Sequence, residues 1–445
     1  MSLIISVSGL RGIVGETLTP DVVVRFVGAF CADLDDGPIL VTRDGRDSGE
    51  MLATAAVSAV QACGRDAIDA GVAATPTAGV LVKSLGAAGG VQISASHNPP
   101  PYNGIKLFGP DGRVLKADLG QRVLQRYEAG QGGWVEHKNV GETRPCQDTT
   151  SEHMKLVLDT VDVERIRERE FQVLLDSNHG AGALLGRELL NELGCEVLCL
   201  GAEPNGQFAH PPEPTAANLE SVQEHVRGAE AVVGFCQDPD ADRLALIDET
   251  GRYIGEEYTL ALCLDHVLKS RHGAVATNCA TSRMSQDVAV ARGAEFARAA
   301  VGEANVVDCM LANKAVFGGE GNGGPIDPRV GLVRDSFVGM AQILDGLAAG
   351  DRTLSQWADS LPSYAIEKTK QPASDVASVL DTLEAHFADA TADRTDGLRL
   401  DWPDKRWLLI RASNTEPIVR IIAEAAKSND AAALCEEAAS VLNRA

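Results

Sequence analysis

At 445 residues the chain has room for about three or four domains, and 44% apolar with 23% charged residues is the balance of a globular protein, not a disordered one. No apolar run approaches the roughly 20 residues needed to span a bilayer. The opening MSLIISVSGLRGIVG lacks the basic leader and long apolar stretch of a signal peptide, so a cytoplasmic location is expected. A net charge of −23 repels phosphate backbones and anionic membranes, which argues against nucleic-acid and membrane partners; an anionic substrate would need local clusters of Arg and Lys.

In chain order, 38–44 reads as a strand and 48–64 as a helix, with Ser48 at its start and Gly64 at its stop. A short strand at 66–71, a helix at 75–86 and a strand at 89–96 follow, an alternation that predicts a parallel α/β sheet. A polar, Gly-rich linker spans 129–149. The rhythm restarts with a strand at 171–176, a helix at 182–194, a strand at 195–200, a helix at 221–230 and a strand at 231–236. A third round has helices at 256–270, 281–293 and 337–350 and an extended stretch at 273–279. After about 365 the pattern becomes helix (376–390), two strands (406–413, 417–425) and helix (431–445). The expectation is three tandem mixed α/β domains and a smaller C-terminal α+β domain, with boundaries at 1–145, 146–250, 251–365 and 366–445. Ten cysteines are scattered without a C-x-x-C pair, and Cys195 and Cys199 lie on an apolar stretch; they read as reduced, buried small hydrophobes, not as metal ligands.

Four segments carry chemistry. In SASHNPPPYNGIKLFGPDG (94–112), Ser96 follows a buried strand, where ligands of α/β proteins bind. It could act as a nucleophile, with His97 and Lys106 as proton carriers; alone, the segment reads first as a polar turn. In QDPDADRLALIDETG (237–251), Asp238, Asp240 and Asp242 alternate after a strand, and three such carboxylates need a cation, with hard oxygens favouring Mg²⁺ or Ca²⁺. Glu249 falls at the twelfth position of an EF-hand, but Arg243 holds the sixth, where that loop needs Gly, and the flanking elements are strands. Asp238 could itself be the nucleophile of a haloacid-dehalogenase-type phosphatase, although the other segments then have no role. In FGGEGNGGPIDP (317–328), glycines permit close backbone approach, and Glu320 and Asn322 could bind sugar hydroxyls; a flexible loop is the alternative. In RASNTEPIVRIIAEA (411–425), Arg411, Ser413, Asn414, Thr415 and Arg420 offer donors for phosphate oxygens in what is otherwise a polar hairpin.

Together these segments resemble the α-D-phosphohexomutase superfamily, which includes phosphoglucosamine mutases, phosphomannomutases and phosphoglucomutases. The resemblance covers the whole chain with the motifs in family order. It implies four domains around a central cleft and a phosphoserine at Ser96. Mg²⁺ would be held by Ser96, Asp238, Asp240 and Asp242. His97 and Lys106 would serve acid/base steps, and Arg11 and Arg243 would lie beside the reacting phosphoryl group. Glu320 and Asn322 would read sugar hydroxyls, and Arg411, Ser413, Asn414, Thr415 and Arg420 would hold the idle phosphate. A hexose 1,6-bisphosphate activator, a phosphosugar substrate and a monomeric or homodimeric state are implied as well. Asn322 and Gly323-Gly324 stand where many relatives have Ser and Gly-His, no basic residue lies near Ala304, and the first loop reads SVSGLRG without an Asp. The GLRGIVGETLTPD opening and the S-A-S-H-N-P form point to the phosphoglucosamine branch, with phosphomannose and phosphoglucose next; a non-catalytic phosphosugar sensor is the reading of a different class.

Overall fold

The computed structural model describes residues 3–6, 9–372, 376–412 and 418–442. They fall into two compact units, Met1–Thr259 with Asn322–Gln356, and Leu260–Gly321 with Trp357–Ala445. The first unit contains two sheets. One is built from β1 (Ile4–Ser6), β2 (Gly9–Ile13), β3 (Ile39–Arg43), β4 (Ala67–Val72), β5 (Gly89–Ile93), β6 (Tyr102–Phe108) and β7 (Thr143–Pro145), in the order β1-β2-β6-β5-β3-β4-β7. The other holds β8 (Gln172–Asp176), β9 (Glu196–Leu200), β10 (Val233–Gln237) and β11 (Leu244–Asp248), in the order β11-β10-β8-β9.

The sheets are mixed. β3 is parallel to β4 and β5, but β6 runs antiparallel to β5 and to β2, and β11 antiparallel to β10. The three strands read from the sequence, β3, β4 and β5, are parallel as expected, and the antiparallel β1, β2 and β6 extend that sheet. β6 (YNGIKLF) lies inside a segment whose Asn, Gly and Lys read as a loop, yet Gly104, Ile105, Leu107 and Phe108 are buried. The linker 129–149 also carries a short edge strand, β7, which pairs with β4. Helix Pro20–Cys31 starts with Pro at its first turn, where the fixed φ suits helix entry, and buries Val23, Phe26, Val27 and Phe30 against Ile39, Val41, Val91 and Ile93 of the sheet. Helix Ser336–Ala348 is buried along its whole length; Asp335 caps it by accepting from the Phe337 and Val338 N–H groups.

The second unit contains a parallel sheet, β12 (Val275–Asn278), β13 (Phe296–Ala299) and β14 (Phe317–Glu320), with β12 between the others. β15 (Gly324–Ile326) follows, within the chain segment that returns to the first unit. The C-terminal antiparallel sheet has β16 (Ala365–Pro372), β17 (Thr391–Asp393), β18 (Leu398–Asp401), β19 (Trp407–Ala412) and β20 (Ile418–Ala425), in the order β16-β20-β19-β18-β17. One face packs on helices Val376–His386 and Ser428–Leu442; the other places Trp407, Leu409 and Ile422 against Cys279. All ten cysteines are free thiols. No helix among the described residues is long and apolar enough to cross a membrane.

Candidate active site

β5 is buried along its length and ends at Ile93, delivering Ser94 and Ser96 at its carboxyl end. Ser94 Oγ donates to Asp44 Oδ2 (2.7 Å) and accepts from the Ser96 N–H (2.9 Å). Ser96 sits in the left-handed region at φ 50°, a conformation a non-glycine residue adopts only when its surroundings enforce it. Those surroundings centre on Arg46, 3% exposed, whose guanidinium donates to the carbonyls of Ser96 (2.6 Å), Asn98 (2.6 Å), Pro99 (3.0 Å) and Tyr102 (2.9 Å) and to Asp44 Oδ2 (3.1 Å). So held, Ser96 Oγ donates to Asp238 Oδ2 at 2.7 Å and lies 3.2 Å from His97 Nδ1. Arg11, from β2, donates to Asn98 Oδ1 at 3.2 Å.

β10 delivers the aspartates in the same way. Asp238, Asp240 and Asp242 are fully buried, and their candidate ligand oxygens lie within 4.8 Å of one another. Lys106 Nζ, from β6, contacts Asp240 Oδ2 (2.5 Å) and Asp242 Oδ2 (2.7 Å). Thr75 Oγ1 donates to Asp240 Oδ2 (2.5 Å) and Arg334 Nη2 to Asp242 Oδ2 (2.7 Å). The Oδ1 atoms of Asp240 and Asp242 are buried without a hydrogen-bond partner, and Arg243 Nε stands 4.0 Å from Asp242 Oδ1. Buried carboxylate oxygens left open in a close group of three fit a hard divalent cation.

The charges settle unequally. Burial, with Asp240 and Asp242 as neighbours, drives the Asp238 carboxyl well above the usual carboxylate range. Burial acts the same way on Asp240 and Asp242, but Lys106 beside Asp240, and Arg334 and Lys106 beside Asp242, outweigh it and hold both below that range. Burial works against the Lys106 cation, yet Asp240 and Asp242 keep its affinity for the proton above the ordinary lysine value. His97 is pushed down to about 3, by burial first and then by Arg243 and Arg11, so it is neutral at neutral pH.

The first unit thus brings together Ser96, His97, Lys106, Arg11, Arg243 and the three aspartates. Asn322 lies at the start of the segment returning to that unit; its Oδ1 is buried without a partner, and the Leu244 N–H donates to the Gly323 carbonyl (2.9 Å). Glu320, Arg411 and Arg420 belong to the second unit. Glu320 Oε1 accepts from Asn278 Nδ2 (2.6 Å) and the Gly302 N–H (3.1 Å), while Asp396 Oδ2 accepts from the Val301 N–H (3.0 Å) and Arg411 Nε (2.8 Å). Two neighbouring backbone amides therefore link the predicted sugar-reading and phosphate-holding residues. Arg411 faces Arg420 across β19 and β20, and Lys370 of β16 stands opposite Arg420, so three cations share one face. Ser413, Asn414 and Thr415 lie outside the described residues. Sequence reasoning missed Arg46, Thr75, Arg334 and Lys370. Arg46 stands two residues beyond the predicted strand 38–44, a position that could have marked it.

Four family models match in chain order: Phosphoglucomutase/phosphomannomutase, alpha/beta/alpha domain I at residues 3–132, domain II at 151–251, domain III at 256–364 and the C-terminal domain at 368–441. A phosphoglucomutase/phosphomannomutase of Thermococcus kodakarensis is 38% identical over 427 residues, 94% of this chain and 93% of that protein. A probable phosphoglucosamine mutase of Methanopyrus kandleri is 34% identical, covering 98% of this chain and 97% of that protein. Among solved structures, a phosphoglucomutase/phosphomannomutase family protein of Burkholderia thailandensis superposes with a TM-score of 0.84 at 25% identity, over 99% of this chain and 98% of that one. With all four domain models aligned along one chain and a serine–aspartate constellation at two strand ends, the protein belongs to the phosphoglucomutase/phosphomannomutase family of phosphohexomutases.

Proposed function

We propose that the chain interconverts the 6-phosphate and 1-phosphate of a hexose, glucosamine phosphate first, through a phosphorylated Ser96 and a hexose 1,6-bisphosphate. The observation that carries this reading is the 2.7 Å contact from Ser96 Oγ to an aspartate trio whose free oxygens suit a divalent cation. Asp238, Asp240 and Asp242 would hold Mg²⁺, with a phosphoserine oxygen alongside; when bound, the ion neutralises charge on the transferring group and eases departure of the serine oxygen.

In the first half-reaction a free sugar hydroxyl attacks phosphorus. The new O–P bond forms as the bond from phosphorus to Ser96 Oγ breaks. Lys106, held as a cation, gives its proton to the departing serine oxygen and takes up the one released by the sugar hydroxyl, so its charge is unchanged at the end. Neutral His97 holds the serine oxygen through Nδ1. Arg11 and Arg243 place positive charge beside the transferring group. The bisphosphate then turns over, and its other phosphate returns to Ser96 by the reverse chemistry. A site that must accept either phosphate benefits from simple positive charge, which Arg411, Arg420 and Lys370 supply on one sheet face. Glu320, fixed by Asn278 and Gly302, and Asn322, with its unpartnered Oδ1, are the groups for sugar hydroxyls. Added bisphosphate would act as activator because it reloads an empty Ser96.

The test is intact-mass and peptide analysis of the purified protein, with kcat/KM compared for glucosamine, mannose and glucose phosphates. One phosphate on Ser96 and turnover that prefers glucosamine phosphate are expected. A phosphate trapped on Asp238, or binding without turnover in the presence of bisphosphate and Mg²⁺, would overturn the proposal; preference for mannose or glucose phosphate would move the substrate alone.

A further inference from the structure

Arg334 lies 92 residues beyond Asp242 in the chain, yet its Nη2 meets Asp242 Oδ2 at 2.7 Å, with the Arg334 side chain 12% exposed. The backbone around it is fixed to the aspartate loop. The Asp335 N–H donates to the Pro325 carbonyl (2.8 Å), the Asp335 carboxylate caps helix Ser336–Ala348, and Ser336 Oγ donates to the carbonyl of Ala241 (2.8 Å), the residue between Asp240 and Asp242. The side chain reaches Asp242 along Gly324. A Cβ on Gly324 would lie 2.4 Å from Arg334 Cδ, 2.7 Å from Cγ and 2.9 Å from Cβ. Because the conflict extends to the root of the side chain, Arg334 could not swing aside at its tip alone; it holds this path only because residue 324 has no side chain.

We propose that Arg334 is a positioning residue for the cation site, and that Gly324 is glycine to let it pass. Arg334 and Lys106 both occupy Oδ2 of Asp242, which fixes the carboxylate and leaves its buried Oδ1 without a hydrogen-bond partner. Carboxylates oriented in this way by an outer hydrogen bond bind metal more tightly, and loss of such a bond weakens affinity by about 10–100-fold. The inference rests on the proposed reading of the trio as a cation site.

The test titrates Mn²⁺ into the resting protein, followed by calorimetry and by the loss of the free-ion EPR signal, so that no turnover is needed. Arg334→Gln and Gly324→Ala are each expected to weaken Mn²⁺ binding about tenfold or more. The double variant should be no weaker than the poorer single one, because both changes break the same contact. Wild-type affinity in either single variant, or effects that multiply in the double, would overturn the role of Arg334. A wild-type protein that binds no Mn²⁺ would instead overturn the cation site itself. Circular dichroism establishes that the variants are folded. Arg334→Lys, which restores charge without the planar fork, gives an independent reading if Gly324→Ala does not fold, and partial recovery relative to Arg334→Gln is expected.

Discussion

The Ser96 hydroxyl donates to the Asp238 carboxylate across 2.7 Å, joining the carboxyl ends of β5 and β10 although the two residues are 142 positions apart. This contact makes the serine both candidate phosphate carrier and neighbour of the cation site. Ser96→Ala should lower mutase turnover by about a thousandfold or more and remove phosphate from the resting protein, measured by coupled assay and intact mass. Asp240→Asn and Asp242→Asn should leave that serine in place but weaken Mg²⁺ binding, read as a rise in the half-saturating cation concentration.

Arg46 is the clamp on the serine loop. Arg46→Ala strands the buried Asp44 carboxylate and several loop carbonyls, and should destabilise the protein by about 3–5 kcal/mol in denaturant unfolding. Arg46→Lys keeps the charge but loses the fork, since an ammonium cannot reproduce a planar set of donors. It should reduce kcat by about tenfold or more while KM for the sugar phosphate changes little, because the loop carries the proposed nucleophile and not the proposed substrate-binding cations.

His210 gives a pH test away from the reaction. Its Nε2 lies 2.8 Å from Asp176 Oδ2. Burial works against the imidazolium, but the Asp176 hydrogen bond and charge outweigh it and raise the His210 proton affinity above the ordinary value. Stabilisation of this sign is fully present below the unfolded histidine pKa of about 6.5 and fades as pH rises through the higher folded value. The Tm difference between wild type and His210→Gln should therefore be larger at pH 5.5 than at pH 8.5; an equal difference at both would refute the ion pair.

With a net charge of −23, the folded chain repels itself wherever acidic side chains face solvent. Raising KCl from low ionic strength shortens the Debye length from about 30 Å at 0.01 M to about 3 Å at 1 M. The apparent Tm should rise over that range, and glutamate or chloride as counter-anion should give the same increase if screening is the cause.

Ser96 and the aspartate trio were legible in the sequence because each follows an apolar strand directly, so that a one-dimensional pattern places them at a strand end. β6 was not legible: its apolar Ile105, Leu107 and Phe108 are interspersed with Asn103, Gly104 and Lys106, and Asn103 and Lys106 find their side-chain partners in distant segments. Lys106 was found through its motif, but its ion pairs with Asp240 and Asp242 span 134 and 136 residues and have no local signature. Arg334 is hidden for the same reason, since neither its neighbours in sequence nor its charge says which carboxylate it meets. Arg411 and Arg420 could be read as a pair from a hairpin pattern, whereas Lys370 joins them only through the pairing of β16 with β20.

The left-handed turn at Ser96 sets backbone strain against a buried hydrogen bond at a single position. Glycine would adopt φ 50° freely, relieving a strain on the order of 1–3 kcal/mol. The same replacement deletes the oxygen proposed to carry phosphate. It also removes the hydrogen bond to buried Asp238, and an acceptor left unpaired there costs about 1–3 kcal/mol, so the relief is offset and the strained serine is held in place by the partner it faces.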